Sequence, residues 1–414
     1  MTNPTKADHR WQIMDPPRRV AIAAFAAAAL TTATARAMDQ SGSGAAMDHS
    51  DVSAMTGQTV TTDQGGAGMP GLHIPAGVTG AFMVPAGEGM INYTPSFIRM
   101  SGNYIGSSQV SPATIASSIF SGQTMTMTMM MKSPMGMMMP MTMTMPVMWR
   151  VVPSSMETQM HMFNGMYGLT DAINLMFMGT YTQKAMSMTT FAGMSGVNVL
   201  GQSSGSTEGF SDAMVGGIYR LYQDNINHLQ FGVSLALPIG NQQATIQMLS
   251  PMGMYMNMRA PYAMQIGTGT VDLVPTLAYT GMTGPWSWGM MYRGRFALNY
   301  NNEGWQYGAS NEITGWGGYS LFRGVTLTAR VLGATQDHIH GQDISITGLA
   351  QNTNPLYYGG KHIDLFGGIE VAGAPLGLGM TVFGVEAGGP VFQELNGPQL
   401  GRAWQITCSG RFMF

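Results

Sequence analysis

From Met90 onward the chain falls into segments of ten or so residues in which apolar and polar side chains alternate. Period two is the mark of a strand with two chemically different faces. Trp286 to Tyr300 is the clearest case: Trp286, Trp288, Met290, Tyr292, Phe296, Leu298 and Tyr300 share one face, and Ser287, Gly289, Met291, Arg293, Arg295 and Asn299 the other. Aromatic residues at both ends of an apolar face match the two interfaces of a membrane. Twelve such segments run near 90–102, 158–168, 171–183, 209–222, 228–240, 267–280, 286–300, 305–321, 324–335, 361–373, 377–389 and 401–414. Short connections alternate with long ones, as periplasmic turns alternate with outer loops in an outer-membrane barrel. The expected fold is therefore all-β: a transmembrane antiparallel up-and-down β-barrel of twelve strands.

Composition agrees. Charged residues are 9% of the 414, glycine is abundant at 56, and no run reaches the ~20 apolar residues a spanning helix needs. A net charge of −3 gives nucleic acid nothing to bind. The single cysteine, Cys408, excludes an intrachain disulfide and a cysteine-based metal site. At the N-terminus, Arg18-Arg19, the apolar run Val20–Leu30 and Ala35-Arg36-Ala37 have the layout of a cleaved secretory signal. The expected organisation is a signal peptide at 1–37, a flexible Met/Gly-rich periplasmic extension at 38–88, and a barrel at 89–414 with a Met-rich outer loop at 103–157. The expected partners are outer-membrane lipid and either a small solute or a soft metal ion.

The last segment carries Trp404, Ile406, Cys408, Gly410, Phe412 and Phe414 on its outward face. A terminal Phe on an alternating strand resembles the signal read by the bacterial barrel-assembly machinery. Alternation also assigns a lumen face to Met160, Met162, Met176 and Met178, beside Asn and Thr. An Arg on the lipid face near midplane costs ~2–4 kcal/mol, so charges on strands belong inside. Asp212, Arg220, Asp272, Arg293, Arg295, Glu312, Arg330, His362, Asp364, Glu370, Glu386 and Arg411 are the candidates. They line a pore or form a packed, salt-bridged interior.

Thirteen of the twenty-four residues from Met125 to Met148 are methionine. Thioethers select soft ions such as Cu(I) and have no proton to gain in mild acid, so they suit an acidic exterior. Met125, Met127, Met129, Met137, Met139, Met141, Met143 and Met145 are the candidate ligands, with Met248, Met252, Met254, Met256 and Met258 in a later loop. The other readings are an apolar constriction at the barrel mouth or a tolerant, adaptable loop. Asp337, His338, His340 and Asp343 form a second metal candidate, against which stands an ordinary polar loop. Gly201–Gly205 matches a nucleophile-elbow pattern but lacks the strand-to-helix setting, so no enzyme is expected.

Gly89–Met100, Glu157–Asp171, Gly217–Leu221 and, most specifically, Gln265-Ile-Gly-Thr-Gly-Thr-Val-Asp-Leu-Val-Pro275 resemble the outer-membrane barrels described as transporters or as meta-pathway of phenol degradation-like proteins. The resemblance covers most of 88–414 and implies a β-barrel with a transport role, without fixing the solute. The Met-rich stretch 123–149 departs from that family's first loop. Three functions follow as expectations: passive passage of a small solute through an outer-membrane channel, copper binding or resistance through the Met-rich loops, or a structural barrel with no open pore.

Overall fold

The computed structural model describes residues 73–132 and 138–414; the expected signal peptide and Met137 lie outside them. Eleven strand elements close a barrel: β1 (Gly89–Gly106), β2 (Val151–Gly168), β3 (Ile173–Phe191), β4 (Ala213–Gln223), β5 (Asn227–Leu237), β6 (Asp272–Thr283), β7 (Trp286–Ala297), β8 (Ser310–Phe322), β9 (Val325–Gln336), β10 (Gly360–Ala372) and β11 (Thr381–Met413). Each pairs antiparallel with the next, and β11 returns to β1 through pairs such as Met90 with Met413 and Phe97 with Ile406. Closure leaves the ring without an edge strand. No helix among the described residues is long and apolar enough to cross a membrane.

The ring thus holds eleven strand elements where twelve strands are expected, and the last element crosses the wall twice. The two segments expected at 377–389 and 401–414 are one 33-residue element. Its first part pairs with β10 up to Leu395 and its second part with β1, both antiparallel, so β11 doubles back on itself. The long loop expected at 390–400 is absent: pairing runs up to Leu395 and resumes at Gln399, so the chain reverses tightly within 396–398.

Burial follows the alternation. Along β5, Phe231, Val233, Leu235 and Leu237 are exposed, while Gln230, Ser234 and Ala236 are buried. On β11, Trp404, Ile406, Phe412 and Phe414 are exposed and Thr407, Ser409, Arg411 and Met413 buried. The outward surface is accordingly a band of exposed apolar side chains.

At one end the strands join through short turns (169–172, 224–226, 284–285, 323–324, 373–380), and at the other through long segments. Asp224 builds one short turn by accepting from the backbone N–H groups of Ile226 (2.8 Å) and Asn227 (2.6 Å). At the long-loop end Val199–Phe210 pairs with the outer half of β3, and Ser108–Val110 with β1, extending the wall beyond the ring. The expected loop 103–157 is shorter, because β1 and β2 reach into it. It holds α1 (Pro112–Ser118), capped by Ser111 Oγ accepting from Thr114 N, and a hairpin of Phe120–Lys132 with Met138–Met148. The Gly201–Gly205 stretch lies within Val199–Phe210, on a strand.

Candidate functional site in the barrel interior

Residues 74–84, within the stretch expected as a flexible extension, run inside the barrel. Ile74, Ala76, Val78, Ala81, Phe82, Met83 and Val84 are all buried. Wall residues from around the ring hold this segment. Arg411 on β11 donates to the carbonyls of Ile74 (2.9 Å) and Pro75 (3.1 Å). Arg293 on β7 donates to the Thr79 carbonyl at 2.8 Å, and Gln230 on β5 to the Gly80 carbonyl at 2.8 Å. Gly77 lies against the Arg330 and Glu386 side chains, where a Cβ would collide with both. The segment leaves the lumen beside Gly168, whose carbonyl accepts from Gly87 N at 2.8 Å. It is a plug, and the wall donates to its backbone at Ile74, Pro75, Thr79 and Gly80.

The plug meets two kinds of wall. On one side the register aligns Met413, Met90, Met166 and Met176 across β11, β1, β2 and β3. With Val78, Phe82 and Met83 they form one apolar cluster. Beside it, on β9, β10 and β11, lie buried ion pairs. Arg330 and Glu386 make a two-point contact, including Nε to Oε2 at 3.1 Å, and the guanidinium stacks 4.0 Å from the Phe366 ring. Arg411 Nη1 stands 3.8 Å from Glu370 Oε2.

Nearer the long loops are two further ion clusters. Arg295 Nε donates to Asp272 Oδ2 at 2.6 Å, and its Nη2 lies 3.5 Å from Asp212 Oδ2. Arg402 Nη1 donates to Asp364 Oδ2 at 2.9 Å and contacts His362 Nε2 at 2.8 Å. The long loops pack above. Met100, Met156, Met186, Met188, Met248, Met258 and Met264 share one cluster, and Tyr262, Trp305, Tyr307 and Tyr358 another. Burial pushes the phenols of Tyr307 and Tyr358 up, so both act as donors: Tyr307 to the Tyr262 carbonyl (2.8 Å), Tyr358 to the Asn352 carbonyl (2.6 Å).

The expected inward residues therefore separate into groups. Asp212, Asp272 and Arg295 meet in one cluster; Arg330 and Glu370 lie by the plug; Asp364 pairs with Arg402; and Arg293 holds Thr79. Met160, Met162, Met176 and Met178 are half-buried. Arg220 lines a cavity of about 580 Å³ between the plug and the wall at the short-turn end. Ile74, Phe82 and Met83 of the plug, with Trp316 and Met282 of the wall, give it a mostly apolar lining, and His228 and Gln230 add polar points.

Three contributors escaped the sequence reading. The plug carries only a short signal, the four consecutive apolar residues Ala81 to Val84. Trp316 fills the space left by Gly289 on the neighbouring strand. Arg402 should point outward by strict alternation, but a bulge between the pairs Arg99–Trp404 and Met100–Arg402 flips the phase.

The candidate ligands Asp337, His338, His340 and Asp343 do not assemble. The two imidazoles approach, with ring centroids 4.7 Å apart. Asp343 is buried elsewhere, with Oδ2 3.6 Å from Arg259 Nε and Oδ1 accepting from Ser345 N. Among the described residues no group of three or more His, Cys, Asp or Glu side chains is placed to hold a metal.

No family model and no curated protein matches the sequence. Among solved structures the chain is similar to the COG4313 outer membrane channel from Pseudomonas putida F1, at 13% identity over 81% of this chain and 99% of that one, with a TM-score of 0.48. It is similar at a lower level to a Pseudomonas aeruginosa FadL homologue (9% identity, 83% and 96% covered, TM-score 0.35). The Pseudomonas putida toluene transporter TodX gives 8% identity, 80% and 90% covered, and a TM-score of 0.36.

Proposed function

We propose that this protein is an outer-membrane channel for small, mainly apolar solutes, with residues 74–84 as a resident plug. The cavity between plug and wall carries the reading. Its volume of about 580 Å³ suits a small molecule, and its lining joins apolar side chains to a few polar ones, as in ligand sites generally. The exposed apolar band supports a membrane setting, since such a surface in water would be an aggregation liability. The paired charges of the lumen argue against ion selectivity, because opposite signs alternate around the wall instead of forming a ring of one sign.

The test is entry of N-phenyl-1-naphthylamine, which brightens on reaching lipid, into cells whose outer membrane carries the full chain. Wild-type protein should accelerate entry over cells without it. Met83→Trp, which narrows the cavity, should slow entry. Entry no faster than background with folded wild-type protein in the membrane would refute the channel reading.

A further inference from the structure

The Met-rich run forms a two-faced hairpin in register. Met125 stands opposite Met145, Met127 opposite Met143, Met129 opposite Met141, and Met131 opposite Met139. These pairs fall on alternate rungs, so all eight thioethers share one face of the ribbon. The intervening rungs pair Thr124 with Pro146, Thr126 with Thr144, Thr128 with Thr142 and Met130 with Pro140. Threonine hydroxyls meet across that second face at 3.3 Å in both the 126–144 and 128–142 pairs. Exposure of the methionine face is high: 37% at Met127, 50% at Met129 and Met141, and 57% at Met139.

We propose that this face is a binding site for a soft monovalent ion, Cu(I) or Ag(I). Cβ atoms of opposed residues lie ~5 Å apart, and same-face neighbours along a strand ~7 Å apart. Two adjacent rungs thus bring four thioethers within reach of a single ion, on side chains with three rotatable bonds each. Thioether sulfur prefers such ions over Zn(II), Ca(II) or Mg(II). A two-stranded ribbon alone is marginal in water. An ion bridging its strands supplies the cross-link it otherwise lacks, so binding also rigidifies the hairpin. Met131 takes its place in the ladder through its pairing with Met139, a partnership that Met-x-Met spacing alone did not reveal.

The site is independent of the solute channel and is tested apart from it. Full-length protein in detergent micelles is titrated with Ag(I) against a competing chelator. The quadruple variant Met127→Leu, Met129→Leu, Met141→Leu and Met143→Leu removes the two central rungs while keeping apolar bulk. It should bind Ag(I) about 100-fold more weakly, the order by which joining weak ligands in one site raises affinity. Thr126→Val with Thr128→Val changes the other face and should leave affinity unaltered. So should Met252→Leu with Met254→Leu, exposed methionines outside the ladder. Wild-type affinity should hold from about pH 7 down to about pH 4, where an imidazole site would be lost. Wild-type affinity in the quadruple variant, or tenfold weaker binding at the lower pH, overturns the proposal. The heat-modifiable gel shift of a folded barrel confirms that each variant is intact. Protection of the hairpin from protease by Ag(I) in wild type, lost in the quadruple variant, is a second readout.

Discussion

Replacing Glu386 by Gln isolates the interior electrostatics of this barrel. The wild-type pair is almost wholly sequestered, with side-chain exposures of 5% for Arg330 and 1% for Glu386. Glutamine keeps the shape and one acceptor but removes the charge. Arg330 then retains the Phe366 face at 4.0 Å and a long contact to Thr314 Oγ1 at 3.5 Å. Stranding one member of a buried pair costs ~3–5 kcal/mol. The retained cation–π contact is already present in wild type and so offsets nothing; the surviving amide acceptor returns ~1 kcal/mol. The net expectation is a loss of about 2–4 kcal/mol. Urea titration of folding into lipid vesicles, followed by tryptophan fluorescence, reads it directly. The double variant Arg330→Met with Glu386→Leu should recover most of the loss, because an apolar pair of similar volume often replaces a buried ion pair without penalty. A loss below ~0.5 kcal/mol for E386Q, or a double variant equal to the sum of the two singles, would refute the coupling.

Gly289→Val should destabilise the barrel by ~1–3 kcal/mol in the same assay, because a side chain there drives into the Trp316 ring; unchanged stability would mean the ring moves aside freely. Arg150→Met strands the Ala116, Gly196 and Ala192 carbonyls that the buried guanidinium joins, and should speed protease cleavage within 107–150. An unaltered cleavage rate would count against a clamp at that position. Asp224 is held well below the ordinary carboxylate range, first by the Asn227 N–H and then by the Ile226 N–H. A depressed pKa means that its stabilising contribution is complete above the unfolded value of ~4 and is lost only as pH falls through the folded value. The turn should therefore persist at pH 4, with the Asp224 carboxyl still ionised by NMR; an inflection at the ordinary carboxylate value would contradict the turn geometry.

Strand positions were legible because one face of each strand meets an apolar exterior, and period two records that at every second residue. All twelve expected segments contain strand, down to the long alternating run at Trp286. What alternation cannot record is a local change of phase, and Arg402 shows the consequence: one bulge carries a side chain from the expected outer face into the lumen. The plug was illegible for a different reason. Its backbone is non-repetitive and held by partners as distant in sequence as Arg293 and Arg411, so no periodicity marks it. The tight reversal of β11 was hidden because 390–400 reads as a long loop, although pairing runs up to Leu395 and resumes at Gln399. Within the hairpin, the separation of methionine from threonine was plain in the spacing, but the opposition of Met131 with Met139 depends on a register that composition does not set.

Methionine has two separate physical uses here, and position decides between them. At the plug, Met90, Met166, Met176 and Met413 lie against Val78 and Phe82, where an unbranched, polarizable side chain fills an irregular gap. Arg411, two residues from Met413 on β11, and Arg293 on β7 donate to the plug's carbonyls, so adaptable packing is combined with directional bonds. Neither arrangement would serve alone. Apolar packing gives no fixed register to a segment without regular structure, while Arg411, Arg293 and Gln230 fix the carbonyls of 74, 75, 79 and 80 in place. In the hairpin no such burial exists: the same side chain stands in solvent, opposed to its like, rung after rung. Gap filling cannot account for a face that fills no gap, and that difference is why the two populations of methionine call for different chemistry.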